Sequence, residues 1–265
     1  MRYVAKGAPP DNVSPPKQKA LRFVEAEKEL IARLGRFVPK VPANEDEERA
    51  TLARSCFDAL HKKPIREALI AEQRGLCVYC ESRVCEPEHG TPPPIEHWRP
   101  LSRSHRTAIH WKNLYQSCDR DECCDDRKKD THLAAGADEH LPWPCEFQYE
   151  EAIGVSRGGD LYVRTDARLS ESQRKVLLGA LGRSTHDREL GDEGATLNLN
   201  HPVLREARSA AIEGERKALE RLYPGRTVSA AERERRATVL LDQATRPPFI
   251  STRVAWLRRQ LGTGR

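Results

Sequence analysis

Apolar residues recur at helical spacing near the start of the chain. Leu21, Val24, Leu30, Ile31 and Leu34 share one side of a 3.6-residue turn, predicting a helix over about residues 17–34 that Gly35 ends. Before it, Gly7, Pro9-Pro10 and Pro15-Pro16 interrupt regular structure. After the extended, proline-bounded residues 38–42, the acidic run Glu45-Asp46-Glu47-Glu48 opens a second helix, its negative charge favouring the N-terminal end. A third starts at Pro64 and runs to Gln73. Helical periodicity is lost between residues 76 and 130. Further on, residues 147–155 and 161–165 alternate around Ser156-Arg157-Gly158-Gly159-Asp160, the pattern of a β-hairpin. Helices then follow over about residues 170–181, 202–222, 230–243 and 249–261. Pro202 sits in the first turn of one of them, after Asn198-Leu199-Asn200-His201. Arg205, Arg208, Arg216, Lys217 and Arg221 stud that helix, and Glu232-Arg233-Glu234-Arg235-Arg236 the next, which reads as solvated faces.

Composition narrows the class of protein. Of 265 residues, 38% are hydrophobic and 32% charged, enough for a packed core beneath a strongly polar exterior. A formal charge of +5 is compatible with a polyanionic partner without requiring one. No run approaches the about 20 apolar residues of a membrane helix, and Met1-Arg2-Tyr3-Val4 opens no signal-like apolar stretch. The expectation is a cytoplasmic protein without a membrane partner.

Cysteines change the picture. The chain has eight, and Cys77, Cys80, Cys118, Cys123 and Cys124 crowd into the aperiodic stretch. A reducing compartment makes them metal ligands rather than disulfides. Cys77-Val78-Tyr79-Cys80 is half of a tetrahedral thiolate site, which a second pair must close. Cys118 supplies one member, and the other is Cys124 or Cys123. Cys124 is favoured because Arg127-Lys128 follows it at a suitable offset, so the second pair carries an insertion. Structural Zn²⁺ is the expected occupant. Cys56, Cys85 and Cys145 read as ordinary small residues.

Between the two cysteine pairs stands Ile95-Glu96-His97-Trp98-Arg99-Pro100, after Pro92-Pro93-Pro94. Hydrolysis of a phosphodiester needs a base for water and a cation on the phosphate. His97 suits the first role. Neighbours on a strand point to opposite sides, so Glu96 can face a metal while His97 reaches the water. Asn113, 16 residues after His97, would hydrogen-bond across the loop and hold the imidazole. Asp125 would open a helix and join Glu96 as an oxygen ligand for Mg²⁺ or Mn²⁺, with Asp126 and His132 as alternatives. Arg99, Arg127, Lys128 and Lys129 are candidates for phosphate contact.

The order of these residues resembles the HNH (ββα-metal) nucleases. Together with Met1-Arg2-Tyr3-Val4, Gly75 to Glu81, Trp111-Lys112-Asn113-Leu114 with Ser117-Cys118, and Leu197 to Pro202, it resembles the HNH nuclease subunit (PtuB-type) of Septu and related retron anti-phage systems. The likeness touches about 200 residues and is most specific over 75–130. It implies an effector nuclease held in check beside an ABC/SMC-like (PtuA-type) ATPase, and it admits a retron reverse transcriptase and its msDNA as partners.

The expected fold is therefore α+β and mostly α. A small ββα-metal core with a four-cysteine zinc knuckle and a β-hairpin would sit between helical flanks, over regions 1–72, 73–135 and 136–265. The expected function is metal-dependent endonuclease action on nucleic acid, with DNA favoured. Alternatives are an RNA endonuclease, for example on tRNA, a catalytically decayed zinc-stabilised nucleic-acid-binding adaptor, or a purely structural zinc protein.

Overall fold

The computed structural model describes residues 1–16, 20–84, 92–101, 104–130, 141–182 and 196–258. The fold is α+β, with helices predominating and two small antiparallel sheets among the described residues. Its contacts divide the chain into two units that do not follow the three sequence regions. One holds Val4–Gln73 and Pro94–Gln116, and the other holds Met1–Tyr3, Arg74–Pro93 and Ser117–Arg265.

In the first unit, α1 (Phe23–Gly35) buries Phe23, Ala26, Leu30 and Leu34. The expected stripe is thus corrected: Val24 and Ile31 are 38% and 44% exposed. Phe23 supplies the bulk that turns the helix to this face. The start is corrected too, because residues 20–22 are not helical. Leu21 is held extended instead: its N–H donates to Ser14 Oγ at 2.5 Å, and its carbonyl accepts from Val13 N at 2.9 Å. α2 (Glu45–Asp58) adds Ala53 and Phe57, and α3 (Lys62–Gln73) adds Ile65 and Leu69. These pack with Ala108, Ile109, Trp111 and Leu114 into one core.

On this core lie β1 (Ile95–His97) and β2 (Leu114–Gln116), paired antiparallel with His97 opposite Leu114. Two strands of three residues cannot stand alone in water. Side chains complete the ladder instead. Gln73 Nε2 donates to Gln116 O at 2.8 Å while its Oε1 accepts from Gln116 N at 2.6 Å, so one amide imitates a third strand. Lys6 Nζ donates to Leu114 O at 2.5 Å, pairs with Glu72 at 3.1 Å and lies 4.5 and 4.3 Å from the Trp111 and Tyr115 ring centres.

The second unit carries α4 (Cys124–Asp130), α5 (Tyr149–Ala152), β3 (Ile153–Val155), β4 (Leu161–Val163) and α6 (Glu171–Leu181). The hairpin forms where expected, but its first strand begins at Ile153, because Tyr149–Ala152 close a helical turn ahead of it. Three further helices follow: α7 (Pro202–Leu222), α8 (Ala230–Asp242) and α9 (Ile250–Leu257). Leu76, Leu219, Ala237, Leu240, Ile250 and Leu257 form their shared core. Gly159 has φ +86°, and a Cβ there would meet Arg205 O at 2.1 Å, so α7 approaches the hairpin turn as only glycine permits. One helix face is also corrected. Arg208 is 2% exposed, its Nε donating to Gly159 O and its Nη2 to Leu199 O at 2.8 Å. It ties the turn to α7 rather than facing water.

The corrected face of α1 has a direct consequence. Leu30→Ala is expected to destabilise the protein by about 2–5 kcal/mol, and Ile31→Ala by under about 1 kcal/mol. Urea midpoints of the two variants check this, and equal shifts would refute the face.

Candidate functional site

A tight turn brings the first two sulfurs together. Glu81 N donates to Cys77 O at 3.1 Å, Cys77 N to Ser82 O at 2.9 Å, and Ser82 N to Cys80 Sγ at 3.4 Å. Glu81 takes φ +63° to close that turn. The second pair comes from a segment where Glu122 and Cys124 also take positive φ, of 62° and 60°. Cys124 N donates to Leu197 O at 2.9 Å, and Asn198 Nδ2 to Glu122 O at 3.0 Å, which anchor the left-handed turn.

The ligand atoms of Cys77, Cys80, Cys118 and Cys124 lie within 4.8 Å of one another, all four residues buried. Cys80 and Cys118 Sγ are 3.7 Å apart. Zn–S bonds of about 2.3 Å in a tetrahedron put neighbouring sulfurs about 3.8 Å apart. The residues therefore fit a four-coordinate thiophilic cation, and the cluster could hold a metal such as zinc. The thiols already share charge. Hydrogen bonds from Cys118, then Cys124 and Cys77, hold Cys80 well below the ordinary thiol range. Hydrogen bonds with Cys118, then Cys123, Cys77 and Cys80, push Cys124 well above it. Cys123 is buried but stands outside the quartet, its thiol lowered chiefly by a hydrogen bond from Cys124.

The histidine belongs to the other unit. His97 Nε2 lies 3.0 Å from Ala108 O. A carbonyl only accepts, so this nitrogen carries the proton and Nδ1 is the basic one in the neutral ring. The ring also stands edge-on to Phe57, with centres 4.6 Å apart. Lys62 Nζ in turn lies 4.0 Å from the centre of the Phe57 ring, and burial pushes its ammonium down to about 8. Ala108 and Phe57 were not foreseen as neighbours of His97, nor Lys62 as a neighbour of Phe57, because nothing in their spacing marks them.

Asn113 is wholly buried and spans the loop after β1. Its Oδ1 accepts from Arg99 N at 2.6 Å, and its Nδ2 donates to Arg99 O and Thr107 O, each at 3.1 Å. Its own carbonyl accepts from Trp98 N at 2.8 Å. These bonds fix Trp98 and Arg99, the two residues that directly follow the strand bearing His97.

The remaining predicted residues are placed as follows. Glu96 on β1 and Asp125 in the first turn of α4 are both buried, one in each unit. Arg99, Arg127 and Lys128 are half-buried, and Lys128 Nζ donates to Tyr79 OH at 3.3 Å. The side chain of Lys129, together with His132 and Cys85, lies outside the described residues. No protein-family model matches the chain, and no curated protein matches it.

Two measurements follow from this geometry. Metal analysis of purified protein is expected to find about one zinc per chain, lost in Cys124→Ser and kept in Cys123→Ser; the reverse pattern would move the fourth ligand to Cys123. Asn113→Ala strands several backbone groups and is expected to cost about 3 kcal/mol in denaturant unfolding.

Proposed function

We propose that the protein is a metal-dependent endonuclease of the HNH type. One observation carries this reading: His97 stands on a short antiparallel strand pair with its Nε2–H committed to Ala108 O and the strand end clamped by Asn113. In that tautomer Nδ1 is the basic nitrogen, the atom that would take the proton of an attacking water. The Phe57 contact and the Ala108 hydrogen bond hold the ring in one orientation before substrate arrives. The sequence assigns a catalytic Mg²⁺ or Mn²⁺ to Glu96 and Asp125; each is a buried carboxylate, a hard oxygen donor of the kind such cations take. When bound, such a cation supplies a Lewis acid for the charge on the phosphate and the departing 3′ oxygen. Zinc in the four-cysteine cluster has a structural part in this reading, since all four coordination positions are filled by protein.

DNA is the favoured substrate, with RNA cut by the same chemistry as the variant. An ABC/SMC-like ATPase, a retron reverse transcriptase with its msDNA, and a place in anti-phage defence are proposed on the sequence resemblance alone.

Supercoiled plasmid, single-stranded DNA and total RNA incubated with protein in Mg²⁺ or Mn²⁺ test the reading. His97→Ala is expected to lower the cleavage rate by about 10²–10⁴-fold, the usual weight of a general base, while keeping its zinc and its melting midpoint. Cleavage that persists in His97→Ala would overturn the assignment of the base. Absence of cleavage by wild type, with and without an ATPase partner, would favour a zinc-stabilised binding module.

A further inference from the structure

Away from both clusters, the second unit carries a groove of about 960 Å³ between the end of α7, the start of α8, α9 and the hairpin turn. Its walls include Arg157, Arg216, Arg226 and Arg233, with Tyr223 and Trp256 among them. Four guanidiniums and two aromatic rings on one concave surface are an unusual set for a structural groove.

The charges are organised. Arg216 bridges Glu213 and Glu220, and Arg226 is gripped by Glu232 while its guanidinium lies 4.7 Å from the centre of the Tyr223 ring. Arg233 Nη1 donates to Val228 O at 2.8 Å. Arg157 is exposed on the hairpin turn. A guanidinium has five N–H donors, so these bonds orient each fork and leave donors for a phosphate. Tyr223 and Trp256 are half-buried, anchored on the core formed by Leu219, Leu240 and Ile250. Anchored rings beside oriented arginines form a stacking platform with phosphate donors around it.

We infer that this groove binds single-stranded nucleic acid, with bases stacked on Tyr223, Trp256 and the Arg226 plane and phosphates held by Arg157 and Arg233, while Arg216 stays with Glu213 and Glu220. A duplex keeps its base faces stacked inside and cannot use the rings, whereas an unpaired strand offers them freely. DNA and RNA single strands share this chemistry. The inference narrows the polyanion of the nuclease reading to an unpaired strand, and rests on that reading only for what happens to the strand after it binds.

Fluorescence anisotropy with full-length His97→Ala tests binding without cleavage, using labelled single-stranded DNA, single-stranded RNA of the same sequence, and duplex DNA. Tighter binding of the single strands than of duplex is expected. Adding Arg157→Glu and Arg233→Glu should weaken single-strand binding at least about tenfold and flatten the slope of log K against log salt by about 1.4, two contacts at about 0.7 each. Tyr223→Leu should weaken binding where Tyr223→Phe does not, with melting midpoints showing that each variant is folded. A preference between the two strands assigns the source. Undiminished binding in the folded groove variants, equal or tighter binding of duplex, or no binding at all would overturn the inference. Binding by the groove in a wild-type protein that never cleaves would sink the nuclease reading and leave the groove standing.

Discussion

Four cysteine sulfurs gathered in a dry pocket set the terms for the rest of the protein. Thiolates repel one another and thiols waste their burial, so the cluster makes physical sense around a cation. Its position in the chain gives it reach. The chain leaves one unit after Pro93 and returns at Ser117, and Cys80 and Cys118 stand on either side of that excursion, 38 residues apart in sequence. Bridging them closes the loop that carries Glu96, His97 and Asn113. Closing that loop costs entropy, and a cation held by these sulfurs would offset that cost once for the whole segment.

Within the loop, order comes from side chains that stand in for backbone. A sheet of two three-residue strands exposes most of its hydrogen-bonding groups. Gln73 satisfies the outer edge, Lys6 takes the Leu114 carbonyl, and Asn113 satisfies both backbone groups of Arg99. The strand pair that holds His97 is ordered by polar groups from three places in the sequence, two on β2 and one on the loop after β1. Buried polar networks of this kind are stable only when complete, which places a tight constraint on Gln73 and Asn113.

The sulfur cluster was legible because covalent spacing dictates much of it. A Cys-x2-Cys turn needs only local geometry to bring two sulfurs together, and the offset to Arg127-Lys128 was enough to favour Cys124 over Cys123. β2 was invisible for the opposite reason: Leu114, Tyr115 and Gln116 are all buried, so no alternation marks them as a strand. The two-unit division was equally hidden, since each unit is assembled from separate segments and no composition shift records that. Helix faces were misread where charge was equated with solvent. Arg208 commits its guanidinium to carbonyls inside the unit, and Ile31 places a large apolar side chain on the surface. The register of α1 turned on Phe23, one residue outside the aliphatic pattern.

Glu81, the residue that closes the Cys77–Cys80 turn, also receives the last described helix. Its carbonyl accepts from Phe249 N and its carboxylate from Ser251 N, each at 2.9 Å. These partners lie 168 and 170 positions downstream. On a ribosome, the cysteine turn therefore emerges long before the backbone that completes it. While those residues are made, the nascent chain carries the cysteine turn without its final enclosure, a window in which an oxidant or a competing metal can reach the thiols. The knuckle thus reaches its finished hydrogen-bonding only once the start of α9 has been made.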